Sequence, residues 1–465
     1  MFISLVLADP TIYNVVSYGA KPDGKTDSAQ AFLSAWTKAC ASRQPATIYV
    51  PAGKFALGQV IFLGPCYNKV NVMLIGTLVA PSDYTVLGNK PYWIVFEHID
   101  GLTVSGNGIL DGQGTSLWAC KASAKSCPLG ATPATIYVPA GKFALGQVIF
   151  IGPYYNKVNV MLIGTLVAPS DYTVLGNKAY WVVFQHIDRL TVSGNGILDG
   201  QGTSFWACKS SGKSCPLGAT TLEFSNSNNI VVSALTSLNS QMFHIVVNGC
   251  HNVKMQGIRV TAAGNSPNTD GIHVQLSSSV TILNSKIRTG DDCISIGPGT
   301  TNLWIENVAC GPGHGISIGS LGKDQQEAGV QNVTVTTVTF TGTQNGVRIK
   351  SWGRPSNGFA RNILFQHVTM QDVQNPIVID QNYCPGNEGC PGQVSGVQIS
   401  DVTYQDIHGT SATEVALKFD CSSEYPCSGI ILENVKLTYN NQVAQSSCAN
   451  AAGTSTGFVQ PTGCL

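Results

Sequence analysis

Gly290-Asp291-Asp292-Cys293-Ile294-Ser295-Ile296-Gly297 is the middle of three strings that align with one another. The earlier string is Asn268-Thr269-Asp270-Gly271-Ile272-His273-Val274, and the later one is Gly313-His314-Gly315-Ile316-Ser317-Ile318-Gly319. Asp270, Asp292 and His314 fill one slot, at spacings of 292 − 270 = 22 and 314 − 292 = 22 residues. A repeat of that length suits a parallel β-helix, in which each coil of chain returns on top of the last. Neighbouring strands lie about 4.8 Å apart, so aligned positions become neighbours in space. The pattern predicts three carboxylates, Asp270, Asp291 and Asp292, and the imidazole of His314 in one small patch.

Working outward from these strings, Ile272, Ile294, Ile316 and Val347 form one apolar column, and Val274, Ile296, Ile318 and Ile349 form another. Strand alternation turns both toward a core and sends His273, Ser295, Ser317 and Arg348 outward, with Lys350 on the same face as Arg348. Asp270 and Asp292 precede their strands at a corner, where alternation need not hold. A second set of strands opens at Asn229, Asn252, Ser279, Asn302, Asn332, Asn362, Gly396 and Gly429. Asn tolerates left-handed turns and bonds its own backbone, so this column reads as a structural turn ladder rather than a binding feature. Longer spacings in the later coils imply longer loops, which wall a cleft if they share a side.

Bulk composition agrees with a solenoid and narrows the function. Length grows by adding coils, so 465 residues fit one elongated all-β domain over residues 9–465. Only 11% of residues are charged, Gly numbers 50, and 26 basic side chains balance 26 acidic ones. Neutrality gives no electrostatic footprint for nucleic acid, and no apolar run is long enough to span a membrane. Any anionic ligand must be held by local charge. Fifteen cysteines, several closely spaced, suit an oxidising compartment. The pairs expected are Cys120–Cys127, Cys208–Cys215, Cys293–Cys310, Cys384–Cys390, Cys421–Cys427 and Cys448–Cys464. Zinc is disfavoured because no paired Cys-x-x-Cys knuckles occur.

At the N-terminus, residues 1–8 resemble the clipped end of a secretory signal. Asp27 and Gln30 resemble a capping box opening a helix through Cys40, with Phe32, Leu33 and Trp36 on its apolar face, suited to capping the solenoid. Residues 45–132 then recur almost unchanged as 133–220, an offset of 133 − 45 = 88. Cys66 against Tyr154 and Gly101 against Arg189 are among the few differences. Ordinary solenoid repeats share a pattern and not an identity, so one copy is expected to pack poorly or to be extruded.

Crowded carboxylates cannot all ionise readily, so at least one of Asp270, Asp291 and Asp292 should hold a proton near neutral pH or mildly below it. A proton-holding acid beside an ionised base can break a glycosidic bond. Arg348 and Lys350 can bind a substrate carboxylate, one as a fork and the other as a point charge. Singly, each residue has a plainer reading as a turn former, a structural His or a solvated strand face. The conjunction at coil spacing favours a site.

In order, Asn268-Thr269-Asp270, Gly290-Asp291-Asp292, Gly313-His314-Gly315 and Arg348-Ile349-Lys350 resemble the four signature blocks of the polygalacturonases, glycoside hydrolase family 28, of the plant type. The resemblance implies a right-handed parallel β-helix that hydrolyses α-1,4 bonds of galacturonan in pectin, with inversion and without a cofactor or metal. It implies Asp291 as general acid, Asp270 and Asp292 as activators of the attacking water, and His314 as support for the acid. Arg348 and Lys350 would hold galacturonate carboxylates, Tyr383 would line a subsite, and Asn268 would support the cleft. A secreted, monomeric cell-wall protein is the expected setting. Two rivals share the fold: a pectate-lyase-like eliminase, with calcium on the three aspartates, and a non-catalytic wall-binding β-helix.

Overall fold

The computed structural model describes residues 11–87, 92–116, 135–153, 157–462 and 464–465. The chain forms two compact units, Met1–Val148 with Tyr154–Pro169, and Ile149–Pro153 with Ser170–Leu465. Both are built from short parallel strands stacked coil on coil. The architecture is a right-handed parallel β-helix, the hand that parallel strand-to-strand connections nearly always take.

In the larger unit, strands Tyr180–Gln185, Thr220–Ser225, Ile245–Asn248, Ile272–Gln275, Ile294–Ile296, Ile316–Leu321, Asn345–Trp352, Asn375–Tyr383 and Val415–Asp420 stack in that order. Ile272 faces Ile294, Ile294 faces Ile316, and Ile316 faces Val347, and the Val274, Ile296, Ile318 and Ile349 column runs beside them. All eight side chains are closed to solvent. Both columns read from the sequence are therefore core, and the polar column between them faces away from it.

The Asn column is a turn ladder. Asn229, Asn252, Asn302, Asn332 and Asn362 all have φ between 52° and 58°. The Nδ2 of Asn252 donates to Asn229 Oδ1 at 2.6 Å, that of Asn332 to Asn302 at 2.9 Å, and that of Asn362 to Asn332 at 3.2 Å. Beyond Asn362 the expected Gly396 is wrong. Arg361 faces Ser400, so Asp401, with φ 55°, takes the slot, and Gly429 follows. The segment closed by the Cys384–Cys390 disulfide lengthens this coil and displaces the register from Gly396.

In the smaller unit, the helix Ala29–Cys40 buries Phe32, Ala35, Trp36 and Ala39 against Ile48, Val50, Phe55 and Phe62. The Trp36 indole donates to the Leu63 carbonyl at 2.9 Å, and Cys40 forms a disulfide with Cys66 that cysteine spacing did not suggest. The helix start differs from a capping box. Asp27 Oδ1 accepts from the Ala29 and Gly58 amides, both at 2.9 Å, and so ties the helix to a later coil. Five of the six expected disulfides form, and Cys120 with Cys127 lies outside the described residues, as do residues 1–10.

The duplicated segments do not divide into one good and one poor copy. The front of the first copy is packed, with Val50, Phe55, Leu57 and Val60 buried, whereas their equivalents Val138, Phe143, Leu145 and Val148 are half-exposed. The back reverses this: Leu110 is 59% exposed and its equivalent Leu198 only 3%. The loosely packed material is therefore the back of the first copy plus the front of the second. Deleting Pro81 through Ala168 joins Ala80 to Pro169 and restores the local sequence, because Pro169-Ser170-Asp171-Tyr172 repeats Pro81-Ser82-Asp83-Tyr84. The shortened chain is expected to stay soluble and to melt in thermal denaturation no lower than the full chain. A lower midpoint or an insoluble product would show that the extra coils support the rest.

Candidate active site

A corner between two sheets sets the aspartates. The outer strand Ser278–Arg288 ends, and the chain turns through Thr289-Gly290 before Ile294 enters the second sheet. A Cβ at Gly290 would run into the Ser266 carbonyl, so the turn requires glycine there. Beneath it, the Thr269 hydroxyl meets those of Ser266 and Thr289, each at 2.7 Å, and accepts from the Gly290 amide at 3.1 Å. The ladder continues round the corner: Gly271 N–H donates to the Asp292 carbonyl at 2.9 Å, and Cys293 N–H to that of Gly315 at 2.7 Å. Asp270, Asp292 and His314 are thus stacked on successive coils, as their shared slot requires.

Asp292 is 1% exposed and fully engaged on one oxygen. Its Oδ1 accepts from Ser317 Oγ at 2.8 Å and Arg348 Nη2 at 2.9 Å, and its Oδ2 from Lys350 Nζ at 2.8 Å. A carboxylate offers about four acceptor positions, so the remaining one is on Oδ2. Burial opposes its charge, but Lys350 and then Arg348 more than offset this and hold the carboxyl below its ordinary range.

Asp270, 6% exposed, goes the other way. Burial raises its pKa well above the usual carboxylate value, and the charges of Asp291 and Asp292 add to this, against smaller opposing contributions from the Ser295 hydroxyl and Lys350. Of the two stacked aspartates, Asp270 is therefore the one whose surroundings favour the proton and Asp292 the one whose surroundings favour the charge. Ser295 also lies 2.8 Å from His273 Nδ1, whose Nε2 meets Gln275 Oε1 at 3.2 Å, and burial keeps His273 below its ordinary pKa.

Asp291 is the most open of the three, with 20% of its side chain exposed. Its Oδ1 accepts from the Asp292 amide at 2.8 Å and lies 3.0 Å from His314 Nδ1, which leaves Oδ2 toward solvent. The site thus has two levels: Asp291 and His314 at its mouth, Asp270 and Asp292 as its floor. Asp291, Asp292 and His314 bring ligand-type atoms within 4.8 Å of one another. The two cationic side chains already on Asp292 oppose a further cation there.

Arg348 and Lys350 do not stand free to await an anion, since both are committed to Asp292. Arg348 also donates its Nε to Ser317 Oγ at 3.0 Å, which leaves its Nη1 as the uncommitted edge. Tyr383 covers them, its ring centre 5.1 Å from Lys350 Nζ and 5.9 Å from Arg348 Cζ, with Trp352 packed edge-on against it. Asn268, exposed at the start of its block, accepts from Lys209 Nζ at 3.1 Å.

Reading the sequence missed three participants. Ser317 and Ser295 belong to the outward column, yet both are buried, Ser317 beneath Arg348 and Ser295 between His273 and the Asp270 carboxyl. Their alignment with Arg348 was the available signal. Lys209 had none, because it comes from the helix Thr203–Ser210, outside the repeated strings.

The family model described as Glycosyl hydrolases family 28 matches residues 40–130 and again 127–457. A polygalacturonase of Prunus persica is 60% identical over 464 residues, covering 100% of this chain and 96% of that protein. An exopolygalacturonase of Platanus acerifolia is 36% identical over 461 residues, with 98% of each covered. Among solved structures, an endo-xylogalacturonan hydrolase from Aspergillus tubingensis superposes with a TM-score of 0.60 at 21% identity, over 71% of this chain and 94% of that one. A polygalacturonase from Erwinia carotovora ssp. carotovora gives 0.50 at 20% identity, over 96% and 97%. The structural likenesses speak for the β-helix, and the sequence matches, which run across the coils bearing the aspartates, make the chain a member of glycosyl hydrolases family 28.

Proposed function

We propose that this chain hydrolyses α-1,4-galacturonosidic bonds of polygalacturonan, acting as a secreted monomer on the pectin of plant cell walls. The observation that carries the reading is the different setting of three neighbouring carboxylates: Asp292 gripped by Ser317, Arg348 and Lys350, Asp270 buried among like charges that push its pKa up, and Asp291 at the mouth beside His314. Sorted acids and bases within one pocket are what glycosidic hydrolysis needs.

In this mechanism Asp291, open to solvent at the mouth, takes up a proton from water as substrate enters and its Oδ2 delivers it to the leaving oxygen, while His314 and the Asp292 amide fix the carboxyl through Oδ1. The attacking water sits at the floor, positioned by the proton of Asp270 and deprotonated at the remaining acceptor position of Asp292 Oδ2. Arg348 Nη1, backed by the Tyr383 ring, faces a galacturonate carboxylate, and Asn268 shapes the cleft ahead of Asp270. Lys350 acts on substrate through Asp292, whose ionised form it maintains.

One ligand-type atom of Asp291 and one of Asp292 lie within 4.8 Å of each other, a contact between chain neighbours and not the across-the-bond spacing of ~5 Å or ~6.5–9.5 Å that separates retaining from inverting pairs. Inversion is the favoured outcome. An Asp292 gripped by three donors is a poor nucleophile, and the third carboxyl supplies a water site that a two-carboxylate enzyme lacks.

Sizing the early products from polygalacturonate tests the activity, and proton NMR of the first anomer formed tests the stereochemistry. Saturated new reducing ends with inverted configuration are expected. Unsaturated, ultraviolet-absorbing ends would replace hydrolysis by elimination, and binding without cleavage would replace it by a wall-binding role. Replacing Asp291 by Asn is expected to lower kcat by about 10²–10⁴-fold with oligogalacturonate affinity retained. Full turnover in that variant would move the acid elsewhere.

Asp270 also makes a stability prediction. Its folded pKa lies above its unfolded one, so between the two the folded state binds the extra proton, and stability falls as pH rises through that window. Asp270→Asn removes this penalty. Its melting midpoint should match the parent's below pH ~4 and exceed it progressively above that, while hydrolysis is lost. A variant that melts below the parent at neutral pH would show that Asp270 is ionised in the folded chain.

A further inference from the structure

The geometry points to Lys209 as an anion-binding residue for the stretch of polygalacturonan lying on the Asn268 side of the aspartates, a specificity-determining cation outside the four sequence blocks. This deepens the proposed function and rests on it.

Lys209 is held rigidly. Its helix, Thr203–Ser210, buries Phe205 and Trp206, the Trp206 indole donates to the Ser240 carbonyl at 3.0 Å, and the Cys208–Cys215 disulfide closes the turn that follows. The Lys209 ammonium lies 5.6 Å from the Phe205 ring centre, 3.6 Å from Met242 Sδ and 3.1 Å from Asn268 Oδ1. Among the described residues no carboxylate is within ion-pair distance of it. Desolvation lowers its pKa from the ordinary lysine value, as expected of a cation that has lost water and gained no anion.

An ammonium has three donors. Asn268 uses one and the thioether, a weak acceptor, engages another, so a donor and nearly the whole charge remain for a ligand. A lysine in the last turn of a helix often serves only to complement the helix dipole. Lys209 instead reaches across to Asn268 and Met242, both on other coils.

On the opposite side of the site the cations are already paired. Arg348 and Lys350 come from the strand Asn345–Trp352, on the far side of the Asp292 coil from Asn268, and their charge goes largely to neutralising Asp292. A polyanion crossing the aspartates needs counter-charge before them as well as after. Lys209 supplies it at the block that begins with Asn268, within two residues of Asp270 along the chain.

The test uses the full chain, with Lys209→Met and Lys209→Arg compared against the parent on polygalacturonate at low and high salt. Lys209→Met is expected to raise KM at least about tenfold at low salt, the loss of one charge-assisted contact worth about 1.4 kcal/mol. Its kcat and melting midpoint should stay near the parent's, its KM should respond less to salt, and Lys209→Arg should recover most of the affinity. An unchanged KM, or a KM rise accompanied by a lower melting midpoint that arginine does not restore, overturns the inference and leaves a purely structural lysine. If the parent itself cleaves nothing, the proposed function fails. If the parent cleaves and Lys209→Met matches its KM, only this inference does.

Discussion

Two backbone hydrogen bonds, from Gly271 N–H to the Asp292 carbonyl and from Cys293 N–H to the Gly315 carbonyl, carry the parallel ladder past the ends of the strands and round the corner. The strands they extend are short, Ile294–Ile296 being three residues, and register in so short a strand is fixed by what flanks it. A slip by one residue would turn Ile294 and Ile296 outward and carry the Asp pair with them. The Cys293–Cys310 disulfide opposes such a slip by tying the residue after Asp292 to the end of the strand Thr301–Cys310. Continuity of the ladder through the corner is therefore the condition for every distance in the site.

Given that stack, charge burial decides what each aspartate does. Asp270 and Asp292 occupy equivalent places on adjacent coils and both are nearly closed to solvent, so geometry alone would make them alike. They differ because Arg348 and Lys350 reach back over Ser317 to one of them. A buried carboxylate is tolerable as an ion only when its hydrogen bonds and its charge are both met. Asp292 has three donors, two of them cations, and Asp270 lies among like charges. The asymmetry between them is thus produced two coils away from Asp292 and three from Asp270, and a change on the strand Asn345–Trp352 alters both aspartates at once.

Coil spacing made the columns legible, and with them the shared slot of Asp270, Asp292 and His314, because a period of 22 residues maps directly onto stacked strands. The Asn turn ladder was legible for the same reason until the loop before Asp401 changed the spacing. Spacing could not show how a long side chain leans once it leaves its strand. Arg348 and Lys350 were placed on the correct face, but the face does not say that they would fold toward Asp292, nor that Ser317 would be covered by doing so. Cysteine proximity found the short-range disulfides and missed Cys40–Cys66, whose separation of 26 residues follows the winding of a coil instead of a local turn.

The duplication shows why local sequence has this limit in a solenoid. Ile109-Leu110-Asp111 and Ile197-Leu198-Asp199 are the same tripeptide, and both are strands. Ile109–Asp111 pairs with Thr77–Val79, and Ile197–Asp199 pairs with Thr236–Leu238, so each satisfies backbone hydrogen bonds on a neighbouring strand. Yet one leucine is exposed and the other buried. Forming a strand needs only a ladder on one edge. Burying its side chains needs the other walls of the coil to close over them, and those walls come from the nearest coils in the stack. The chemistry at Asp270 to Lys350 lies wholly within coils that have such neighbours on both sides, and the duplicated segments reach it through Lys209, near the end of the second copy, which donates to Asn268.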